Sequence, residues 1–146
     1  MKKKKRKKPP LHKRKANPNS NYWRNKADEQ ASKYYRHLPC KVCESEGVEN
    51  TDTCWHHIVP KSLSAHYRHD PDNLIPLCNK HHNTDNDIAA HGTNPLAQEG
   101  FLNWLREHRP KGVEMLDSYK MHKNEKVDYE QAYLEWKELN SRYACS

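Results

Sequence analysis

Apolar and aromatic residues recur at helical spacing in several stretches of the chain. From Tyr22 to Leu38 they repeat every three or four residues, which predicts an amphipathic helix that Pro39 terminates. Three further helical patterns follow in the second half, at about Leu96–His108, Val113–His122 and Tyr129–Tyr143. The chain is therefore expected to carry one helix near its N-terminus and about three near its C-terminus.

Two shorter apolar runs lie between these patterns, at Trp55–Val59 and Asn73–Leu77, and they predict two short strands. The polar segment Ser62–Pro71 would be the loop that joins them. The 146 residues are 34% apolar and 31% charged, so one modest core is expected, and bound metal would supply part of its stability. We expect an α+β fold in which residues 21–146 form a single domain.

The first fifteen residues hold ten Lys or Arg and no acid, while the whole chain carries a formal charge of +7. The remaining residues are therefore slightly acidic, and the basic character belongs to the tail. Such a run repels itself, so residues 1–20 are expected to be disordered. Contact with nucleic acid phosphates is favoured over a solubilising tail or a nuclear import signal. The expected DNA-contacting residues of the tail are Lys2, Lys3, Lys4, Lys5, Arg6, Lys7 and Lys8.

Two pairs of metal-binding side chains have the spacing that zinc sites use. Cys40 and Cys43 form the first pair, and Cys78 and His81 the second, each with two residues between its members. Together they complete a closed structural zinc site. The simpler alternative is a set of reduced core cysteines beside a chance histidine.

Three histidines remain beside this predicted zinc site, namely His56, His57 and His82. A neutral imidazole can take a proton from water near neutral pH, or it can bind a metal ion. Adjacent strand residues point to opposite faces, so a local kink would be needed to bring His56 and His57 into one site. His81 and His82 diverge by about 100° on a helix, so one could face the zinc and the other a second centre.

These residues resemble the HNH endonuclease family, in which a His preceded by Asp or His, a central Asn and a final His define the site. His57, Asn73 and His82 fill those positions, and the zinc quartet resembles the variant with a zinc knuckle. The resemblance covers about residues 39–92 and implies a ββα-metal core. Residues from about 95 to 144 would form a C-terminal helical part.

The resemblance also implies roles. His57 would be the general base, His56 and His82 would bind the catalytic metal, and Asn73 would hold the His57 loop in place. For a third ligand, His91 is expected from an irregular segment near Gly92, with Asn86 as the alternative on a continuing helix. The expected cofactors are a structural Zn²⁺ and one catalytic divalent ion, which could be Mn, Ni, Zn, Co or Mg.

The expected function is metal-dependent hydrolysis of DNA phosphodiester bonds, leaving 5′-phosphate and 3′-hydroxyl ends. Double-stranded, nicked and single-stranded DNA all remain possible substrates. Lys61 and Arg68 are expected to be further phosphate contacts. The sequence does not identify a protein partner. The alternatives are a zinc module that binds nucleic acid without cutting it and a structural assembly protein. No secretory signal or membrane span is predicted, so a bacterial or phage-infected cytoplasm is expected, with the nucleus still open. The resemblance favours a phage or prophage product.

Overall fold

The computed structural model describes residues 5–144, and it combines helices with one small sheet. Its helices are α1 (Leu11–Ala16), α2 (Asn21–Tyr35), α3 (Lys41–Ser45), α4 (Pro95–His108), α5 (Pro110–Ser118) and α6 (Tyr129–Ala144). Its strands are β1 (Thr53–His57) and β2 (Leu74–Cys78). This confirms the predicted α+β class. Among the described helices, none has the length and apolar character needed to cross a membrane.

Strands β1 and β2 pair antiparallel, with Thr53 opposite Cys78 and His57 opposite Leu74. The ladder is extended by one further hydrogen bond, from the Ile58 N–H to the Asn73 carbonyl oxygen over 2.9 Å. β1 therefore begins two residues before the predicted Trp55 and is regular through His57. The kink expected between His56 and His57 is therefore absent. Both side chains nevertheless line one cleft at the end of the strand.

The sheet lies between two apolar layers. On one side, Ile75 and Leu77 of β2 pack with Phe101, Trp104 and Leu105 of α4 and with the buried cysteines. On the other side, Leu74 packs with Ala31 and Tyr35 of α2 and with Trp136 of α6. All five residues of β2 are buried, as expected for a strand covered on both faces. The strand pair is thus held rigidly between α4 and the α2–α6 layer.

Helix α2 ends at Tyr35, three residues before the predicted end. The chain then reverses through His37, whose φ of 69° is left-handed and incompatible with a continuing helix. After this reversal, the Cys40 N–H donates to the Asn50 carbonyl oxygen over 2.8 Å, which closes the loop around α3. The reversal therefore delivers the first cysteine pair to the end of the sheet.

Part of the segment expected to be a disordered tail is helical and contacts α2. Residues Leu11–Ala16 form α1, and Trp23 of α2 donates its indole N–H to the Lys15 carbonyl oxygen over 2.9 Å. The Asn19 side-chain amide donates to the Val127 carbonyl oxygen, so this segment is attached to the C-terminal part as well. Residues 1–4 lie outside the described residues, and the division into tail and single domain remains a prediction.

Candidate active site

Four side chains converge at one end of the sheet, and all four are almost completely buried: Cys40, Cys43, Cys78 and His81. The Cys43 and Cys78 sulfurs lie 3.7 Å apart, and the His81 Nδ1 atom lies 3.3, 3.5 and 3.7 Å from the sulfurs of Cys43, Cys78 and Cys40. Ideal tetrahedral bonding to zinc requires edges of about 3.8 Å between sulfurs and about 3.6 Å between nitrogen and sulfur. The cluster therefore has the size of a zinc site.

The chemistry of these donors also fits a cation. Burial, together with the neighbouring Cys78 and Cys40 thiols, raises the pKa of Cys43 to about 12. The Cys43 thiol would thus stay protonated by itself, whereas a bound divalent ion binds thiolates and displaces their protons. A structural zinc held by the four residues would join α3 to the end of β2.

A second cluster lies on the other side of the same turn and consists of His56, His82 and His91. The His56 Nδ1 and His82 Nε2 atoms are 3.2 Å apart, and the His91 ring centroid lies 4.8 Å from each of the other two. Two imidazoles bound to one ion at about 2.1 Å place their nitrogens about 3.0 to 3.4 Å apart. The cluster therefore has the spacing of a three-histidine metal site.

The electrostatics of this cluster favour neutral imidazoles, which is the form that binds metal. Burial, and then the nearby His82 and His91, lower the pKa of His56 to about 2. Burial and His91 also lower the pKa of His82. His56 and His82 therefore have free lone pairs at neutral pH.

The separation of His81 from His82 comes from a wide helical turn over Lys80–Thr84. The Asp85 N–H donates to the Lys80 carbonyl oxygen over 2.8 Å, a five-residue step that is rare in proteins and frequent at functional sites. The continuing helix on which the Asn86 alternative depends does not form, because the chain leaves helical geometry after this turn. Asn86 therefore does not share a helical face with His82.

Irregular backbone returns His91 to the cluster, in line with the expectation for that residue. The His91 N–H donates to the His82 carbonyl oxygen over 2.8 Å, and the Ala90 N–H donates to the His81 carbonyl oxygen over 3.0 Å. This pairing places the His91 ring beside His82 although the residues are nine positions apart. His91 remains exposed, so it forms the outer wall of the cluster.

His57 stands apart from the three-histidine cluster. Its Nε2 atom donates to the Arg68 main-chain carbonyl oxygen over 2.9 Å, and its ring packs edge-on against Trp55 with 4.4 Å between centroids. Because Nε2 carries the proton, Nδ1 has the free lone pair in the neutral ring. Burial lowers the pKa of His57 to about 4, although the bond to Arg68 raises it, so the ring is a neutral proton acceptor at pH 7.

Asn73 is fully buried and connects the two sides of the loop between the strands. Its Oδ1 accepts from the Val59 N–H over 2.6 Å. Its Nδ2 donates to the carbonyl oxygens of Val59 and Tyr67 over 3.2 and 3.0 Å. Asn73 thus fixes the backbone on both sides of the loop and does not reach the metal cluster.

A cleft of about 500 Å³ contains both histidine groups. It is lined by Cys54, Trp55, His56, His57, Pro60, Lys61, Ser62, His82 and His91. The Cys54 sulfur lies 3.5 Å from the His82 Nδ1 atom. Cys54 and Trp55 were not among the expected site residues, and their position on β1 beside His56 was the available signal.

The expected phosphate contacts have different outcomes. Lys61 is exposed at the cleft, and Lys5, Arg6, Lys7 and Lys8 are exposed in the tail, whereas Lys2, Lys3 and Lys4 lie outside the described residues. Arg68 has a different environment, and its contact with DNA remains a prediction. Its Nε and Nη2 atoms donate to the Asp28 carboxylate over 2.8 and 2.6 Å, so this guanidinium is directed into the protein.

A third group of potential ligands, His66, His122 and Glu125, lies near the surface. The two imidazoles stack with 3.9 Å between centroids and 5° between planes, and each Nδ1 bonds to the Glu125 carboxylate. Lone pairs of stacked rings lie in parallel planes and do not converge on one ion. The arrangement is a hydrogen-bonded pair around a carboxylate.

Comparison with known families finds a match to the HNH endonuclease family over residues 40–87. The matched segment includes the four predicted zinc ligands and His56, His57, Asn73 and His82. This confirms the resemblance for that segment, and it implies nuclease activity, metal binding and a nucleic acid substrate. No curated protein and no solved structure matches the chain.

Proposed function

We propose, from the HNH match and the geometry of the cleft, that this protein is a metal-dependent DNA endonuclease. The observation that carries the proposal is the placement of an acceptor imidazole, His57, beside a separate group of three histidines in one open cleft. A purely structural zinc module would need the first cluster alone. The second cluster and His57 are unexplained without a reaction.

In the proposed reaction His57 accepts a proton from water at Nδ1, and the resulting hydroxide attacks the phosphorus atom. The Arg68 carbonyl oxygen accepts the Nε2–H, so the ring presents only Nδ1 to the water. The same oxygen stabilises the positive charge on the ring once Nδ1 is protonated. The bond from phosphorus to the 3′ oxygen breaks, and this oxygen takes a proton from solvent water, which leaves 5′-phosphate and 3′-hydroxyl ends. Lys61, at the edge of the cleft, would contact the phosphate backbone.

His56, His82 and His91 would hold the catalytic ion, which when bound would stabilise negative charge on the phosphate and on the departing oxygen. Three imidazoles suit Zn, Ni, Co or Mn better than Mg, which prefers oxygen ligands. Cys40, Cys43, Cys78 and His81 would hold the structural Zn²⁺. Reduced zinc thiolates fit a reducing cell interior, of a bacterium or of a phage-infected host.

The test is plasmid cleavage by the zinc-loaded protein with Mn, Ni, Co, Mg or additional Zn supplied in turn. Wild type is expected to nick or linearise the plasmid with at least one of these ions. The His57→Ala variant should lose at least about a hundredfold in rate while still binding DNA. The matched control is His108→Ala, which changes a histidine in a separate cavity and should cleave like wild type.

The competing function is a zinc module that binds nucleic acid without cutting it. It predicts DNA binding with no cleavage of double-stranded, nicked or single-stranded DNA by any of these ions. Equal cleavage by wild type and His57→Ala would reject the assigned base even if the protein proved to be a nuclease.

A further inference from the structure

Three consecutive main-chain carbonyls in the loop between β1 and β2 accept hydrogen bonds from three different parts of the protein. The Tyr67 carbonyl oxygen accepts from the Asn73 amide and that of Arg68 from His57. The His69 carbonyl oxygen accepts from the Trp136 indole of α6 over 3.1 Å. The position of this short segment therefore determines where the His57 ring is held.

The side chains of the same segment are held by Asp28 of α2. One carboxylate oxygen accepts from Arg68 Nε over 2.8 Å and from His69 Nε2 over 2.7 Å, and the other accepts from Arg68 Nη2 over 2.6 Å. The Asp28 and Arg68 side chains are 20% and 12% exposed. Although burial raises the pKa of Asp28, the bonds from Arg68 and His69 hold it well below its usual range, so the carboxylate is charged.

We infer that Asp28 is a positioning residue for the proposed nuclease reaction, acting through Arg68 to hold the carbonyl oxygen that orients His57. This inference rests on the proposed function and extends it, because Asp28 lies outside the segment that matches the family. Bidentate pairs between Arg and a carboxylate fix relative orientation as well as distance. With Arg68 fixed at its side chain, the carbonyl oxygen on the same residue stays 2.9 Å from His57 Nε2.

The consequence is that the base depends on a helix remote from it in sequence. Asp28 is 40 residues from Arg68, and α2 reaches the loop because its Ala31 and Tyr35 pack against Leu74 and Trp136. Without the carboxylate, the loop would keep the bonds from Asn73 and Trp136 but lose those that Asp28 makes with the Arg68 and His69 side chains. The His57 ring could then rotate or exchange the proton between its two nitrogens.

A different role for Arg68, direct binding to DNA, makes opposite predictions. Substitution of Arg68 would then weaken DNA binding while substitution of Asp28 would not, and the change would appear in KM and in the salt dependence of binding. A positioning pair should instead give the same defect from either partner, and the defect should appear in kcat.

The experiment compares Asp28→Asn, Arg68→Lys and the double variant in the full-length, zinc-loaded protein. Asp28→Asn keeps the size of the side chain and removes its charge, while Arg68→Lys keeps the charge and loses the paired donors. Glu29→Gln is the matched control, because it removes a carboxylate from an exposed position next to Asp28 on the same helix. Metal content and thermal unfolding are measured for every variant.

Two readouts are expected to change together. In Asp28→Asn, kcat should fall by about ten- to a hundredfold, the range known for loss of a group that orients a metal-binding histidine, with KM within about twofold of wild type. In ¹⁵N spectra of the imidazoles, His57 should lose its defined Nε2-protonated tautomer. The kcat of the double variant should be no lower than that of the less active single variant. Glu29→Gln should have the kcat of wild type.

The proposal is overturned if Asp28→Asn keeps both wild-type kcat and the His57 tautomer. It is also overturned if activity falls only in parallel with folding or metal content. If Asp28→Asn fails to fold, Arg68→Lys decides by the same two readouts. Because the tautomer is measured without cleavage, a protein that cuts no DNA would reject the proposed function and still report whether Asp28 orients His57.

Discussion

The sulfur of Cys54 lies 3.5 Å from Nδ1 of His82, the imidazole whose other nitrogen faces His56. Histidines that bind metal usually have their second nitrogen held by an oxygen, and that partner fixes the direction of the ring. Here a thiol exposed in the cleft occupies that position. A chemical change at Cys54 should therefore reach the metal cluster through His82.

We predict that alkylation of Cys54 with iodoacetamide lowers DNA cleavage at least about tenfold, because the added group displaces His82. Burial, with Asp52 and Cys78, raises the pKa of Cys54, so the reaction should accelerate from pH 7 to pH 9. Mass spectrometry locates the label, and cleavage is measured in parallel. Cys54→Ser should stay active and resist the reagent; equal inactivation of both proteins would contradict the prediction.

Loss of the structural zinc should unfold the protein. Cys78→Ser removes one of four ligands, and structural zinc supplies roughly 10 kcal/mol or more of folding free energy in small domains. We expect less than one tightly bound zinc per chain and loss of the cooperative thermal transition. Cys54→Ser is the matched control, because this cysteine lies outside the cluster, and it should keep both. A Cys78→Ser protein that unfolds like wild type would contradict the assignment.

His91→Ala should weaken the second metal site without affecting the first. The side chain is exposed, so its removal should leave thermal unfolding nearly unchanged, while metal affinity should fall by about tenfold or more. Titration calorimetry with Mn or Ni measures the affinity, and excess metal should restore part of the cleavage. His66→Ala, which also removes an exposed histidine, serves as the comparison; an equal affinity in all three proteins would exclude His91 as a ligand.

Acid should destabilise the fold partly through His57. Its folded-state pKa is lowered to about 4, against about 6.5 when unfolded, so the unfolded chain binds the proton first. The contribution of His57 to the free energy of unfolding is therefore fully present well above pH 6.5 and is lost as pH falls toward 4. Between pH 7.5 and 4.5 the loss is about 2 to 3 kcal/mol.

The pH prediction is checked by urea unfolding of wild type and His57→Ala at several pH values. Zinc release affects both proteins, so the informative quantity is the difference between their losses of stability. Wild type should lose more on acidification. Parallel curves for the two proteins would show that His57 is not the titrating group.

The basic tail should control the salt dependence of DNA binding. Replacing the seven basic residues at positions 2–8 with Gln should reduce the slope of log affinity against log salt by up to about 6, near 0.9 for each phosphate that the tail no longer neutralises. Fluorescence anisotropy with a DNA duplex between 50 and 300 mM salt measures the slope. An unchanged slope would assign phosphate binding to the folded part, beginning with Lys61.

Much of the site could be predicted because its spacing is local. Cys40 with Cys43 and Cys78 with His81 have the separations that one zinc ion imposes, and the structure brings all four together. His56, His57 and His82 could be selected as the histidines left over. The roles of these residues in catalysis remain predictions.

Other features depend on tertiary interactions that no local pattern specifies. The pair between Asp28 and Arg68 joins residues 40 positions apart, so the sequence around Arg68 indicates only a cation in a polar loop. The residues after Cys78 suit an α-helix and a wide turn equally well, so their composition does not predict where helical geometry ends. The placement of α1 likewise depends on Trp23, and that of Asn19 after it depends on the distant Val127.

The loop between the strands has two parts that differ in how they could tolerate a change of length. Residues Tyr67, Arg68 and His69 are bound at three successive carbonyls, so an inserted residue there would move the oxygen that holds His57. Residues 61–63 are exposed, and two of them form the wall of the cleft. Insertions or deletions at 61–63 could therefore reshape the opening for a different DNA structure while the proton acceptor stays in place.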